Sequence, residues 1–448
     1  MQKVMKAHKS IAVPLILLLL ASPGMAQTLW NQVRVPSVHE AAVSFVEPPA
    51  EFGPIHWAFW HGKQTGENII ADIEQTHANG GTVYMLNHAR GMRPLYFTSE
   101  YFNLVKLVVE ECKKRGMKLW IEDDAGYPSG FAGGMISRDY PELGMQAIVA
   151  DARYTVAAGQ TLNIPLPPNT LGILVNPGGS SRRDRDVDIP ESETLPLPPD
   201  GNFRWTAPNQ GTWEVTFVRH VYRSSPTRFV NRADSTYSKD SRYSLIDYLN
   251  PEATHVYLNI VFEEYEKQVG EEFGKTILGF RGDESDFTGF MPWTPKLLET
   301  FQEEKGYDLQ PYIASFFASE LTTEAKRAKA DYWDVWSAMF RDNFFRILQE
   351  WCKSRNMEYM HHLNKEETML HPSGRGGDMI SNEGSFFRGM RYVGVPGIDN
   401  LGVIRPGSET NFPKLASSAA HLFGRPLVWT EQRSEERRVG KECVSECR

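Results

Sequence analysis

The chain has 448 residues, a formal net charge of −8 and a pI near 5.9. This length suits one large α/β barrel with an insertion, or roughly two to three ordinary domains. The acidic balance, and the lack of any Lys/Arg run interleaved with aromatic residues, argue against a nucleic-acid surface. Aromatic residues make up 12% of the chain, with 11 Trp, which suits sugar-stacking surfaces as well as large hydrophobic cores.

The N-terminus has the pattern of a secretory signal peptide over residues 1–26. A lysine-containing segment precedes an apolar run over 11–20, and Ala26 supplies a small residue at the predicted cleavage site. The apolar run is too short for a membrane span, and no later segment approaches the required length. We therefore expect export to the periplasm or the outside, with no membrane span in the mature chain. Only 4 Cys are present, and neither Cys112 nor Cys352 belongs to a zinc-type pair, so we expect the core rather than disulfides to stabilise the fold.

Predicted strands and helices alternate through the first part of the mature chain, 27–144. Apolar strands over 56–62, 82–87 and 118–124 are separated by two amphipathic helices, an order typical of a parallel sheet with right-handed crossovers. The third strand ends in Asp123 and Asp124. Barrel enzymes place catalytic groups at this C-terminal edge of their strands.

The alternation is interrupted over 145–248, where short alternating segments among Pro, Gly and Ser predict a β-rich insertion. It resumes over 249–432. Predicted strands end in Asp283 and Glu284, in His361 and His362, and in Glu431, and two weaker candidates lie near 379–383 and 398–401. These make about eight strands, so the predicted fold is α/β, a (β/α)8 TIM-type barrel with an inserted β-rich subdomain.

The stretch 433–448 has no core pattern and holds Cys443 and Cys447. It is similar to translated adapter sequence, and we expect it to be a non-native tail that replaces the end of a longer protein.

Several segments in order carry a resemblance to a known family: 57–62, 122–134, 282–284, 291–294, 305–309, 386–388, 396–399 and 414–421. Over nearly the whole mature chain the sequence resembles the exported bacterial glycoside hydrolases of family 106, the α-L-rhamnosidase-like group. The resemblance implies a TIM-type barrel, an inverting mechanism, often a calcium ion, and further β-sandwich domains beyond the barrel.

Glycosidic bonds are cleaved by two carboxyl groups, and the resemblance and the strand ends both favour Glu284 and Glu431. We assign Glu284 as the general acid, with a pKa raised by Asp283 and an aromatic wall, and Glu431 as the base that activates water. The two roles are open to exchange. An inverting pair should lie about 6.5–9.5 Å apart and a retaining pair about 5–5.5 Å. Taken alone, Asp283 and Glu284 would be a helix N-cap followed by a solvated glutamate.

The predicted substrate-binding residues share a position near a strand end or in an aromatic segment: Trp60, His61, Asp123, Asp124, Tyr127, Asp283, Trp293 and His362. Asp123 and Asp124 are rival acids, or acceptors for sugar hydroxyls or calcium. Tyr127 and Trp293 suit ring stacking or plain core. Glu383 is the candidate metal ligand, and a zinc site lacks a third ligand at a recognisable spacing.

The sequence therefore predicts an exported glycoside hydrolase that removes a terminal sugar, L-rhamnose favoured, from plant or microbial polysaccharide. No cofactor is required by the sequence, and the oligomeric state is left open. Two alternatives remain at this point: a non-catalytic carbohydrate-binding barrel, and an inactive truncated fragment of such a hydrolase. The absence of a Gly-x-Ser-x-Gly elbow argues against an esterase.

Overall fold

The computed structural model describes residues 31–33, 35–88, 91–178, 193–223, 245–287, 291–318, 320–364, 366, 384–400 and 414–432. Among them, no helix has both the length and the apolar character needed to cross a membrane. The predicted signal peptide, the strand candidate at 379–383 with Glu383, and the tail at 433–448 lie outside the described residues.

In the described part of the chain, one parallel sheet of seven strands follows the order of the sequence. Every neighbouring pair is parallel. The strands are β1 Ile55–Trp60, β2 Val83–His88, β3 Lys118–Glu122, β4 Ile277–Gly282, β5 Glu358–His361, β6 Val395–Asn400 and β7 Trp429–Gln432. β2, β4 and β5 are buried along their whole length, as expected for parallel strands covered on both faces.

Helices connect these strands and pack on the outer face of the sheet, where the largest hydrophobic core lies. Their bounds are Gly66–Ala78, Ser99–Lys114, Pro251–Ile260, Phe262–Val269, Leu297–Lys305, Gln310–Ile313, Thr323–Phe340, Arg346–Lys353 and Lys414–Phe423, with shorter helices at Val38–Val46, Met135–Asp139 and Phe386–Gly389. In Ser99–Lys114 the side chains of Val105, Val109 and Cys112 are buried, so one stripe of the helix faces the sheet.

A second hydrophobic core lies on the inner face of the sheet. It gathers side chains from all seven of the described strands: Ile55, Trp57, Val83, Met85, Trp120, Leu278, Met360, Val395, Leu427, next to β7, and Trp429. Because β1 and β7 contribute to the same core, the sheet is curled rather than flat. The described residues thus form a half-barrel, and the complete eight-stranded barrel stays a prediction.

A second, antiparallel sheet is built mainly from the chain between β3 and β4. In the described residues its strands are Gln146–Ala157, Thr170–Pro177, Glu193–Leu195, Thr212–Tyr222 and Met291–Trp293. A separate pair joins Thr161–Pro165 to Asn202–Thr206. Alternating residues such as Ile173, Val215 and Phe217 form a core of their own.

Candidate active site

A buried arginine, Arg281, lies at the centre of the C-terminal edge of the parallel sheet. Its Nη1 lies 2.5 Å from Glu122 Oε1 and 2.7 Å from Asp283 Oδ2, and its Nη2 lies 2.8 Å from Glu431 Oε2. A buried charge is costly unless it is paired, and here the partners come from β3, the end of β4, and β7. We call Arg281, Glu122, Asp283, His362 and Glu431 the Arg281 cluster.

Two tryptophans from the opposite edges of the sheet cover the guanidinium of Arg281. Its Cζ lies 4.4 Å from the ring centroid of Trp57 in β1 and 5.0 Å from that of Trp429 in β7. Cation–π contacts of this kind add stabilisation when the cation is shielded from water. Arg281 therefore links the first and last described strands of the curled sheet.

His362, which follows β5, supplies a second cation to the cluster. Its Nε2 lies 2.9 Å from Asp283 Oδ1 and 3.4 Å from Glu431 Oε2, and its Nδ1 donates to the carbonyl oxygen of Leu363 at 2.6 Å. Burial alone would lower the pKa of His362, but hydrogen bonds to Asp283, Glu366 and Glu431 raise it well above its ordinary value. The imidazole is therefore protonated when its acidic partners are ionised.

The carboxyl groups of the cluster differ in protonation. Burial acts to raise the pKa of Asp283, but Arg281 and His362 hold it well below its ordinary value. Burial raises the pKa of Glu122 to about 8; Arg281 opposes this, and the nearby Asp283 and Asp123 add to it. Asp283 is thus ionised at neutral pH, and Glu122 takes up a proton more readily than Asp283 does.

Glu284 directly follows Asp283 on the sharp turn that ends β4. It is half-buried, and its backbone φ of 43° lies in the left-handed region, which is rare for a residue with a side chain. At Gly282, just before this turn, a Cβ would overlap the side chains of Tyr359 and His361, so only glycine fits. Backbone strain of this kind is concentrated at functional sites.

Glu431 combines a fixed oxygen with an accessible one. Oε2 is held by Arg281, whereas no group in the described residues hydrogen bonds to Oε1, and the side chain is 17% exposed. The salt bridge requires the ionised carboxylate, which is the form that a general base needs. Asp399 pairs with Glu431 in register on β6, and burial followed by the charge of Glu431 raises the pKa of Asp399 to about 7.

Asp124 organises the loop that follows β3. Its two carboxylate oxygens accept hydrogen bonds from five backbone N–H groups at 2.5–3.0 Å: those of Ala125, Gly130, Phe131, Ala132 and Gly133. Both oxygens are therefore engaged by the loop backbone. For Asp124, this geometry favours a positioning role over direct contact with a sugar.

Asp123 lies beside this loop and is also fully buried. It accepts hydrogen bonds from Ser129 Oγ at 2.6 Å and from the Tyr359 hydroxyl at 2.8 Å. Burial raises its pKa to about 8, although both hydrogen bonds act to lower it. Asp123 is thus a neutral acid over much of the physiological pH range.

This raised pKa predicts that Asp123 makes stability fall as pH rises. The pKa of an unfolded Asp is about 3.9, so between about pH 4 and 8 the folded chain binds a proton that the unfolded chain has released. Asp123→Asn is neutral at every pH and should flatten the decline in the free energy of unfolding over that window. Urea unfolding from pH 5 to 8 measures this.

The matched control is Asp151→Asn at the surface, where Asp151 pairs with Arg219 at 2.7 Å and has a lowered pKa. In Asp151→Asn the free energy of unfolding should still decline from pH 5 to 8 as it does in the parent. A decline equally steep in Asp123→Asn and in the parent would contradict the raised pKa.

The remaining predicted residues occupy several environments. Trp60 and Trp293 both belong to the large outer core; Trp60 packs edge-on against Tyr101, and Trp293 stacks on His220 in the second sheet. His61 is exposed at the end of β1, and Tyr127 is half-buried on the loop held by Asp124. The structure therefore brings together Asp283, His362 and Glu431, with Glu284 adjacent in sequence, and places the two tryptophans in cores.

Two members of the cluster, Arg281 and Glu122, are absent from the sequence prediction. Arg281 stands inside an apolar strand, two residues before Asp283, so both side chains point to the same face. A charge on a buried strand must find counter-ions, and this rule could have identified Arg281 as the centre of an acidic site.

The donor set does not fit a calcium ion. Asp283, His362 and Glu431 each offer a ligand atom within 4.8 Å of the others. However, Arg281 Nη2 lies 3.1 Å from Asp283 Oδ1, 3.1 Å from His362 Nε2 and 2.8 Å from Glu431 Oε2. The guanidinium thus takes the place of a cation, and calcium prefers six to eight oxygen ligands over an imidazole. The other metal candidate, Glu383, lies outside the described residues.

Comparison with known proteins finds one matching family and several solved structures with a similar fold. A family model described as alpha-L-rhamnosidase matches residues 186–436. Among solved structures, a rhamnosidase from Novosphingobium sp. PP1Y superposes with a TM-score of 0.59 at 16% identity, covering 89% of this chain and 53% of that one. A β-galactosidase from Marinomonas ef1 gives a TM-score of 0.41 at 7% identity, covering 77% of this chain and 40% of that one.

No curated protein sequence matches the chain. The chain spans about half the length of the Novosphingobium rhamnosidase, and the likeness between the two is one of fold.

Proposed function

The chain belongs to glycoside hydrolase family 106, the alpha-L-rhamnosidase family, and from this premise we propose that it hydrolyses a terminal glycosidic bond by acid/base catalysis between Glu284 and Glu431. The substrate class is a plant or microbial polysaccharide or oligosaccharide with L-rhamnose at its end. The predicted signal peptide supports export to the periplasm or the outside.

The observation that carries this proposal is the environment of Glu431. Arg281 fixes one carboxylate oxygen at 2.8 Å, and the other is without a hydrogen-bond partner among the described residues. A general base needs this combination, because the group must be ionised, oriented and able to accept a proton from water. A module that only binds sugar needs no such oriented base.

The proposed reaction divides the work between the two glutamates. Glu284 donates its proton to the glycosidic oxygen as the bond to the anomeric carbon breaks, and the leaving group departs as an alcohol. Glu431 takes a proton from a water molecule, whose oxygen forms the new bond from the opposite face. The ionised Asp283 stabilises the positive charge that develops on the sugar ring.

Arg281 and His362 act on Glu431 and Asp283 rather than on the sugar. Their contacts hold both carboxylates in place, and preorganised charges need no rearrangement during the reaction. The half-buried position of Glu284, on a strained turn, supports its assignment as the proton donor.

A panel of p-nitrophenyl glycosides tests this function. The folded chain should release p-nitrophenol from the α-L-rhamnoside in preference to other sugars, and proton NMR should detect β-L-rhamnose as the first product of an inverting reaction. Release of the α-anomer first would contradict inversion. A folded chain that hydrolyses no glycoside in the panel, and no rhamnose-ended oligosaccharide, would contradict the proposed activity.

A further inference from the structure

Phe59 is an exposed aromatic residue in a sheet that is otherwise mostly buried. It is 49% exposed on β1, whereas β2 and β4 are buried throughout. The cost of leaving a phenylalanine ring in water makes such a position informative when it borders a polar site.

Strand alternation places Phe59 on the inner face of the sheet, the face on which Trp57 contacts Arg281. Trp57, two residues earlier, belongs to the inner core and contacts the Arg281 guanidinium at 4.4 Å. Residues two apart on a strand share a face and are separated by about 6.6–6.8 Å. Phe59 therefore lies one step closer to the C-terminal edge than the tryptophan that covers Arg281.

The rings of Trp57, Phe59 and His61 form a continuous ladder along this edge. The centroids of Trp57 and Phe59 are 4.7 Å apart, and those of Phe59 and His61 are 5.9 Å apart with the planes inclined by only 11°. Phe59 and His61 are both exposed, whereas Trp57 is half-buried. The ladder thus runs from the buried cation outward to an exposed aromatic surface that ends in a polar ring.

We propose that Phe59 and His61 form the binding platform for the leaving group, the sugar or aryl ring on the far side of the scissile bond. This inference rests on the proposed function. The terminal sugar must reach the Glu284 and Glu431 carboxyl groups, so the rest of the substrate extends toward the exposed edge. The apolar face of a sugar or aryl ring packs on the Phe59 ring, and His61 offers ring nitrogens to hydroxyl groups.

The test compares substrates that do and do not reach the platform. Phe59→Ala should raise KM for p-nitrophenyl α-L-rhamnoside by about tenfold, the upper range for one aromatic contact, with a smaller change in kcat. Inhibition by free L-rhamnose, which has no leaving group, should be unchanged. Phe59→Trp should keep the parent KM, because it retains an aromatic face. Phe59→Leu should show a raised KM, because it does not.

Phe52→Ala is the matched control, since Phe52 is 52% exposed and precedes β1 at the opposite edge of the sheet. It should leave KM unchanged. Equal KM values for Phe59→Ala and the parent would overturn the platform. So would a loss of inhibition by free L-rhamnose as large as the loss of affinity for p-nitrophenyl α-L-rhamnoside.

Binding without turnover separates failure of the platform from failure of the proposed function. Calorimetric titration of p-nitrophenyl α-L-rhamnoside into Glu284→Gln and into Glu284→Gln/Phe59→Ala should give about tenfold weaker affinity for the double variant. Equal affinities would overturn the platform even if the parent hydrolyses the substrate. Conversely, a difference in affinity with an inactive parent would support the platform and contradict only the hydrolysis.

Discussion

Glu284→Gln is expected to lower kcat for p-nitrophenyl α-L-rhamnoside by about 10²- to 10⁴-fold, the usual contribution of a general acid. The amide has nearly the same shape as the carboxyl group but cannot donate an acidic proton to the departing oxygen. Glu284 has a positive φ, and glutamine keeps the same backbone requirement, so the loss should not come from unfolding. Steady-state kinetics with circular dichroism of both proteins measures this.

A leaving-group series distinguishes the acid from the base. With a 2,4-dinitrophenyl glycoside, whose leaving group is acidic, Glu284→Gln should retain most of the parent rate, because the departing oxygen needs little protonation. Glu431→Gln should be slow with both leaving groups, since water activation is required in each case. The reverse pattern would mean that the two roles are exchanged. A parent-like rate of Glu284→Gln with the p-nitrophenyl glycoside would exclude Glu284 as the acid.

Arg281→Met is expected to destabilise the fold by about 3–5 kcal/mol, the usual cost of removing one partner from a buried ion pair. The guanidinium is fully buried and contacts Glu122, Asp283 and Glu431, which would be left close together without their shared cation. The loss of stability in Arg281→Met should be smaller at low pH, where protonation removes the repulsion between the carboxylates. Urea unfolding at pH 5 and pH 8 measures both effects.

Arg355→Met is the control for Arg281→Met. Arg355 also covers a tryptophan, with its Cζ 3.8 Å from the Trp351 ring centroid, and pairs with Glu266 at 2.7 Å, but its side chain is 27% exposed. Removing one partner of a partly exposed ion pair should lower the free energy of unfolding by no more than about 1 kcal/mol. Equal losses in the two variants would contradict the claim that Arg281 is the electrostatic centre of the site.

The parallel sheet is largely predictable because each strand has a local pattern. Apolar runs ending in polar residues predict β1 to β5 and β7 within a few residues, and the acids at their ends lie on one edge as a parallel sheet requires. Asp283, His362 and Glu431 come together for this reason, although they lie far apart in the sequence.

Three of the predicted binding residues have surroundings that the local sequence pattern does not reveal. Trp60 is three residues from Trp57, so the two-residue period places it on the outer face, where it joins the helix-packed core. Trp293 pairs through its strand with Gln146, a long-range contact with the second sheet that no local pattern reveals. The role of Asp124 depends on five N–H groups of a folded loop, which become visible only in three dimensions.

The assignment of Glu284 and Glu431 as the catalytic pair is tested by the initial rate of p-nitrophenyl α-L-rhamnoside hydrolysis, measured for the folded parent and for the double variant Glu284→Gln/Glu431→Gln. We expect hydrolysis by the parent and a loss of rate in the double variant at least as large as in either single variant, because both the acid and the base are removed. A double variant with the same circular dichroism spectrum and the parent's rate would contradict the assignment of these two glutamates as the catalytic pair.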